Sequence, residues 1–184
     1  MDNGARCYRH FLEGDENAFS EILDMYRDNL IFFINRTVSN LNTAEDIAAD
    51  CFAELIARPG RYNFSVSLKT YLFSIAHHKT VDYIRHHSRY EMTELDDNIV
   101  KSCSYENFEN GILEKEEHKI LHKALSQVKD EYREAIHLVF FEELSYEEAA
   151  GVMKKSRKQI DNLVYRGKNA LRTILDKEGF KYEG

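Results

Sequence analysis

The 184-residue sequence predicts an all-α fold in which two small helical domains are joined by a flexible acidic linker. Apolar residues recur at intervals of three and four along most of the chain, and no segment shows the clean alternation of a half-buried strand. This periodicity fails between about residues 88 and 111, a stretch rich in Asp, Glu, Asn and Ser. We therefore expect a first domain over residues 10–88, a linker over 89–112 and a second domain over 113–178.

The first domain is predicted to contain three helices. Asp15 is a candidate N-cap for the first, and Thr43, with Asp46 in the capping-box position, for the second. Pro59-Gly60 is expected to end the second helix, and the third spans about residues 67–87. The apolar faces of these helices carry Phe19, Ile22, Leu23, Tyr26, Leu30, Phe33 and Ile34, then Ile47, Cys51, Phe52, Leu55 and Ile56, then Leu68, Tyr71, Leu72 and Ile75.

The second domain is predicted to be a four-helix unit that ends in a helix-turn-helix. Ser145 and Glu148 have the spacing of a capping box, and Lys154 occupies the turn position where glycine often supplies a positive φ. Seven Lys or Arg and one acid lie between residues 154 and 172, which favours contact with nucleic-acid phosphates. The apolar positions are Ile120, Leu121, Ala124, Leu125 and Val128, then Tyr132, Ala135, Ile136, Val139 and Phe140, then Ile160, Leu163, Val164 and Leu171.

The net charge of −7 is concentrated in one segment. Residues 91–118 hold nine carboxylates and two lysines, so the rest of the chain sums to zero, with basic zones on both sides. Because the local field decides what binds, a nucleic-acid partner is compatible with this composition. We interpret the acidic segment as a solvated tether. An alternative hypothesis is that it mimics DNA and shields the basic helices.

Composition excludes several other classes of protein. A hydrophobic share of 43% with 12% aromatic residues excludes wholesale disorder. No run approaches the ~18 apolar residues of a membrane helix, and the first 20 residues lack a signal-peptide core, so we expect a cytoplasmic protein with no membrane partner. Three widely spaced cysteines indicate neither a disulfide framework nor a zinc site; Cys51 fits a core position, whereas Cys7 and Cys103 look incidental. No cofactor or catalytic motif is expected.

Three stretches share the order and residue pattern of a known family. They are AEDIAADCFAELI at 44–56, SLKTYLFSIAHHKTVDYIRHH at 67–87, and the run from LSQVKDEYREAI to KNALRTIL at 125–175. Together they resemble the extracytoplasmic-function class of bacterial RNA polymerase sigma factors over most of the chain outside the linker. The resemblance implies a non-enzymatic subunit that binds core RNA polymerase at the β′ clamp coiled coil and the β flap, directs it to promoter DNA, and in many relatives is held by an anti-sigma factor.

The resemblance also implies roles for two sets of residues in the first domain. The set expected to dock on the β′ clamp is Asp46, Asp50, Phe52 and Glu54. The segment from residue 61 to 85 matches the surface that captures unstacked bases of the minus-ten element, which needs aromatic faces and cations. Its candidate DNA contacts are Arg61, Tyr62, Asn63, Phe64, Lys69, Tyr71, His78, Lys79 and Arg85.

In the second domain, the resemblance implies that the helix after the turn reads the minus-thirty-five element, with its first turn, from Ser156, facing base edges. Arg157 and Lys158 suit guanine, whereas Gln159 and Asn162 suit adenine. Arg166 and Lys168 are expected to hold phosphates and set the register. Many relatives carry cations where this chain has Asp161 and Leu163, so the phosphate contacts are expected to differ there.

Two rival interpretations explain parts of the sequence. A stand-alone helix-turn-helix regulator would bind DNA without polymerase, but it has no need of the segment at 44–56. A metal-dependent hydrolase could use His78, Asp82 and His86, which recur every four residues on one helical face. The chain nevertheless lacks an HExxH motif and a Cys ligand set.

Overall fold

The computed structural model describes residues 2–91 and 116–177. All regular secondary structure in these two ranges is helical, which confirms the all-α prediction. The chain divides into two units, Met1–Ser102 and Cys103–Gly184. Most of the predicted linker, the DNA-mimic hypothesis attached to it, and Cys103 lie outside the described residues. No helix within the described ranges is both long enough and apolar enough to cross a membrane.

The described part of the first unit contains four α-helices: α1 (Asn3–Leu12), α2 (Glu16–Val38), α3 (Leu41–Ala57) and α4 (Leu68–Glu91). A short 3₁₀ turn, Pro59–Arg61, follows α3. Helix α2 is central and packs against the other three helices. Asp15 caps α2 as predicted, because its carboxylate accepts the N–H of Asn17.

Two predicted helix boundaries differ from the structure. Helix α3 begins three residues before the expected start, because its N-cap is Asn40, whose Oδ1 accepts the N–H of Thr43 at 3.0 Å. Thr43 is therefore a first-turn residue and not the cap. Helix α4 continues to Glu91, three residues into the segment predicted to be linker.

Helix α1 was missed by the periodicity analysis. Asp2 is its N-cap, because the carboxylate Oδ1 accepts the N–H of Ala5 at 2.9 Å. The other oxygen, Oδ2, accepts the N–H of Leu68, the first residue of α4, at 3.2 Å. The buried hydroxyl of Tyr8 donates to the carbonyl oxygen of Leu55 at 2.8 Å, which ties α1 to α3. Cys7, expected to be incidental, is instead buried, and its thiol contacts Glu21.

The core of the first unit combines apolar positions predicted for it with others that were not predicted, among them Tyr8, Ile31 and Phe73. Burying one Leu, Ile or Phe side chain contributes roughly 1.5–3 kcal/mol, so each such position adds substantially to the stability of the unit. Cys51 is fully buried, and burial raises the pKa of its thiol to about 12, which keeps it protonated and inert. Ile56 departs from the prediction, since it is 47% exposed. The buried members are Ile22, Leu30, Phe33, Ile34, Ile47, Cys51, Phe52, Leu55, Leu68 and Leu72.

The described part of the second unit contains α5 (Glu116–Ser126), α6 (Asp130–Ile136), α7 (Tyr146–Met153) and α8 (Arg157–Lys177). Helix α8 packs against the other three. It approaches α6 closely at Gly167, where an added Cβ would lie 2.8 Å from the Cδ1 of Ile136. Of the predicted apolar face of α8, Ile160 and Val164 are buried, whereas Leu163 and Leu171 are half-buried.

Helix α6 continues as a π-helix over His137–Phe141, where the sequence predicts an uninterrupted α-helix. The imidazole of His137 lies 3.2 Å from the carboxylate of Glu142, with both side chains almost fully buried. The wider turn changes the direction of the side chains that follow it. Phe140, which was predicted to be a core residue, is 50% exposed. The ammonium of Lys168 lies 5.0 Å from the centre of the Phe140 ring.

Candidate functional site

The carboxylates predicted for protein docking lie along α3. Asp46 and Asp50 are one helical turn apart, so they share a face of the helix, and both are exposed. Phe52 is not on this surface: it is 5% exposed and packs edge-on against Phe19 with ring centroids 6.4 Å apart. The structure therefore brings two of the four predicted docking residues together on the outside and gives Phe52 a packing role.

Glu54, the fourth member of that set, contacts cations from three other places in the chain. Its Oε1 accepts from Arg61 Nη1 at 2.8 Å and lies 3.7 Å from Arg58 Nη1. Its Oε2 lies 3.5 Å from Lys79 Nζ, which is also 3.8 Å from Asp50 Oδ2. The predicted docking residues and the predicted minus-ten residues thus meet at one partly buried carboxylate.

The predicted base-stacking residues belong to an aromatic cluster. Tyr62 is 3% exposed, and its ring centroid lies 4.6 Å from that of Phe64, 5.0 Å from Tyr71 and 5.7 Å from Tyr8. Its hydroxyl donates to Val66 O at 2.8 Å, and burial raises its pKa to about 12. Tyr62 therefore supports the cluster from inside, whereas Phe64 and Tyr71 are half-buried and keep part of their rings accessible.

The loop between α3 and α4 holds Phe64 in a left-handed backbone conformation, with φ of 60°. Asn63 stabilises the bend, because its Oδ1 accepts the N–H of Ser65 at 3.0 Å. The guanidinium of Arg9, on α1, lies 5.2 Å from the centre of the Phe64 ring. Sequence reasoning missed Arg9 because it missed the helix that carries it.

Along α4, Lys69 is half-buried, and His78 and Arg85 are exposed. His78 Nδ1 lies 3.3 Å from Asp82 Oδ2, and Arg85 Nη1 lies 3.8 Å from Asp82 Oδ1. Asp82 thus contacts a histidine and an arginine. Among the residues with described positions, no three His, Cys, Asp or Glu side chains lie close enough together to bind a metal ion. His78, Asp82 and His86, which the hydrolase interpretation requires, therefore do not form such a cluster.

The helix-turn-helix of the second unit forms as its sequence predicts. Ser145 Oγ accepts the N–H of Glu148 at 3.2 Å, and Glu148 Oε2 accepts the N–H of Ser145 at 2.9 Å, which completes the capping box. Lys154 adopts the expected left-handed conformation, with φ of 51° and ψ of 43°. The N–H of Lys155 donates to Ala150 O at 3.0 Å and closes the turn.

The first turn of α8 uses some of its predicted base-reading groups within the protein. Ser156 N–H donates to Gln159 Oε1 at 2.7 Å, so that oxygen is engaged in capping the helix. Arg157 Nε donates to Glu147 Oε1 at 2.8 Å, a partner on α7 that the sequence did not indicate. A cavity of about 420 Å³ beside this pair is lined by Tyr146, Arg157, Lys158 and Asp161.

The remaining predicted members of the α8 surface are outward-facing. Lys158, Asn162, Arg166 and Lys168 are all exposed. Lys168 lies further along the helix than the cavity and contacts Phe140, as described above. The arrangement presents hydrogen-bond donors at the start of the helix and cations along it, which suits insertion of the first turn beside base edges.

The fold and these surfaces define a DNA-binding regulator built from two helical units, one of which carries a helix-turn-helix. Comparison with known protein families gives two matches: sigma-70 region 2 over residues 22–90 and sigma-70 region 4 over residues 118–171. The chain therefore belongs to the sigma-70 family of RNA polymerase sigma factors, which direct transcription initiation.

Individual relatives agree with this assignment. RNA polymerase sigma factor YlaC of Bacillus subtilis is 25% identical over 162 residues, which span 88% of this chain and 94% of the relative. The ECF RNA polymerase sigma factor SigM of the same organism is 26% identical over 160 residues, 87% of this chain and 96% of the relative. The sigma factor RpoE of Bartonella quintana, solved in complex with the anti-sigma factor NepR, superposes with a TM-score of 0.72 at 26% identity and covers 86% of this chain and 96% of its own. The resemblance to the extracytoplasmic-function class is confirmed.

Proposed function

We propose that this sigma factor binds core RNA polymerase, opens the minus-ten region with its first unit and reads the minus-thirty-five element with its second. The observation that carries the proposal is the closed helix-turn-helix at residues 145–177, with exposed donors on the first turn of α8, in a chain that also matches sigma-70 region 2. The chain supplies binding and strand separation, while phosphodiester chemistry belongs to the polymerase.

Docking on the polymerase is assigned to the exposed carboxylates of α3. Asp46 and Asp50 present two negative charges on one helical face, which would complement a basic surface such as the β′ clamp coiled coil. The second unit would contact the β flap. Phe52 is buried, so it would support this face from the core without contacting the polymerase.

Minus-ten opening is assigned to the aromatic cluster and the cations around it. Phe64 and Tyr71 offer partly accessible rings on which an unstacked base could lie, while Tyr62 holds them in place from below. Stacking of this kind contributes ~1–3 kcal/mol per base and needs nearby cations for the backbone. The polar and cationic groups that would contact the strand are Arg61, Asn63, Lys69, His78, Lys79 and Arg85.

Minus-thirty-five recognition is assigned to α8. Arg157 donates its Nε to Glu147, which leaves both terminal nitrogens of its guanidinium for the O6 and N7 of a guanine. Lys158 and Asn162 would contact neighbouring base edges, whereas Arg166 and Lys168 would contact phosphates. Ser156 and Gln159 shape the start of the helix, and Gln159 keeps its amide nitrogen for DNA.

Control by a protein inhibitor is also part of the proposal. The Bartonella quintana relative was solved with an anti-sigma factor, and we extend this mode of control to the present chain. Such a partner would inhibit by covering the docking face of α3, the minus-ten surface or the DNA face of α8. We place the protein in the cytoplasm, where core polymerase and promoter DNA are found.

The test of the proposal is promoter-specific transcription by purified core polymerase with and without this chain. The double variant Asp46→Arg and Asp50→Arg should abolish core binding, because it reverses two exposed charges on the docking face. A matched control is Asp24→Arg with Asp28→Arg, which makes the same charge change at the same spacing on α2. If the α3 variant binds core polymerase as tightly as the control, the docking assignment is wrong.

A further inference from the structure

We propose that Glu54 is a positioning residue for the minus-ten surface and not a polymerase contact. The inference rests on the function proposed above and changes the role of one residue within it. Its basis is the geometry of one carboxylate on α3, which reaches both the 3₁₀ turn after that helix and the middle of α4.

The burial of Glu54 separates it from the docking carboxylates. Its side chain is 20% exposed, whereas that of Asp50, one helical turn earlier, is 73% exposed. A basic surface of the polymerase could reach Asp50 directly. To reach Glu54 it would have to displace cations that already hold both carboxylate oxygens, which makes Glu54 a poor docking group.

The partners of Glu54 are cations assigned to DNA. Arg61 Nη1 donates to Oε1 at 2.8 Å, and Lys79 Nζ lies 3.5 Å from Oε2. Arg61 lies just before the aromatic loop and Lys79 lies on α4, so these two residues come from different segments and are brought together by one anion. Arg58 adds a third, longer contact to Oε1.

Two consequences follow for a single strand that binds this surface. Long cationic side chains lose rotamer freedom when they are fixed on a phosphate, and a carboxylate that already orients them reduces that entropic cost. Lys79 and Arg61 also repel each other because both are positively charged, and the negative charge of Glu54 between them offsets this repulsion. Glu54 therefore orients both cations before DNA arrives, one on the turn that leads into the aromatic loop and the other on α4.

Lys79 connects this arrangement to the docking face. Its ammonium lies 3.8 Å from Asp50 and 3.5 Å from Glu54. If Asp50 turns to a basic group on the polymerase, Glu54 is the carboxylate that continues to hold Lys79 in position. The position of Lys79 is then preserved in the holoenzyme, where the minus-ten strand is captured.

The test compares Glu54→Gln with the wild-type protein in preassembled holoenzyme. Glutamine keeps an oxygen for Arg61 but removes the charge that holds Lys79. Core affinity, measured by titrating fluorescently labelled protein with core polymerase, should stay within about twofold, whereas promoter opening, measured by permanganate reactivity of minus-ten thymines, should fall about tenfold. The control Glu45→Gln changes an exposed carboxylate on the same helix and should alter neither quantity.

A mutant cycle distinguishes positioning from other roles. In a background of Arg61→Ala with Lys79→Ala, Glu54→Gln should cause no further loss of promoter opening, because neither of the two cations assigned to DNA remains to be positioned. A docking residue would weaken core binding in every background, and a purely structural residue would lower the thermal midpoint and reduce opening in both backgrounds. Either result overturns the proposal.

A second variant covers the case in which Glu54→Gln folds poorly. Glu54→Asp keeps the charge but shortens the side chain, so it should reduce promoter opening less than Glu54→Gln while core affinity is maintained. Equal loss of core affinity and opening would refute the positioning role. Failure of the wild-type protein to direct transcription would instead refute the proposed function, whatever Glu54 does.

Discussion

Lys155 Nζ lies 3.0 Å from Glu131 Oε1, so the turn of the helix-turn-helix is joined to the start of α6. The hydrogen bond and charge of Lys155 lower the pKa of the Glu131 carboxyl, with a smaller contribution from Lys129. The orientation of α8 relative to its supporting helices therefore depends in part on an ion pair that acid can break.

Glu131→Gln should reduce stability at neutral pH and have little effect in acid. Because the folded-state pKa is lowered, the carboxylate stabilises the fold above its unfolded pKa of about 4.3, and this stabilisation is lost as pH falls through the folded value. Glu131 is 46% exposed, so solvent screening limits the loss to about 1 kcal/mol or less. Urea unfolding of the wild-type protein and the variant at pH 7 and pH 3 measures this loss of unfolding free energy. With Glu143→Gln as the exposed control, an equal loss at both pH values would contradict the ion-pair explanation.

Lys154→Gly should stabilise the second unit. Lys154 has a φ of 51°, a conformation that costs a residue with a Cβ roughly 1 kcal/mol relative to glycine at the end of a helix. The thermal midpoint should rise. The matched control is Lys158→Gly, in the first turn of α8, where the backbone is helical and glycine relieves no strain, so the midpoint should not rise. A decrease for Lys154→Gly would show that strain at the turn is not relieved by removing the side chain.

Replacing two helical glycines by alanine should have opposite effects. At Gly151, in α7, no heavy atom lies within 4 Å of an added Cβ, so the better helix propensity of alanine should stabilise the protein by about 0.5–1 kcal/mol. At Gly167 the added Cβ would meet Ile136 at 2.8 Å and Tyr132 at 3.1 Å, and the overpacking should cost about 1–3 kcal/mol. Chemical denaturation of both variants checks the signs, and stabilisation by both would mean that α6 and α8 can separate freely.

Arg157→Ala and Lys168→Ala should affect DNA binding in different ways. Loss of Arg157 should relax selectivity at one base pair of the minus-thirty-five element by about 1–3 kcal/mol, whereas loss of Lys168 should weaken binding to all sequences and reduce the salt slope by about one. Holoenzyme binding to promoters with single base substitutions, at several salt concentrations, separates the two. Glu147→Ala should share the selectivity loss of Arg157→Ala, because it removes the acceptor that anchors that side chain. Identical profiles for Arg157→Ala and Lys168→Ala would contradict the division into reading and positioning.

Features that depend on neighbouring residues were predictable from the sequence. The capping box of Ser145 and Glu148 spans three residues, and the left-handed turn at Lys154 follows from the helix pattern on either side. The predicted start of α3 was wrong because Asn40 and Thr43 both have side chains that can cap a helix, and the periodic pattern alone does not distinguish them. Helix α1 was missed because it buries few large apolar residues, and its buried hydrogen bond from Tyr8 to Leu55 spans 47 residues.

Features that depend on tertiary contacts were harder to predict from the sequence. The π-helix coincides with the burial of His137 against Glu142, a contact that periodicity cannot indicate. Phe52 and Tyr62 fit the patterns of a docking residue and a base-stacking residue, but both side chains are buried in the structure. Two of the three cations on Glu54, Arg61 and Lys79, lie 7 and 25 residues further along the chain, so these ion pairs depend on how the turn and α4 pack against α3.

Asp2 uses its two carboxylate oxygens on different helices, one on the backbone of α1 and the other on the first residue of α4. Fraying at the beginning of the chain therefore also leaves the backbone of Leu68 without its acceptor, immediately after the loop that carries Phe64. Affinity tags or reporter fusions attached close to Asp2 are thus not neutral for this protein in measurements of promoter opening.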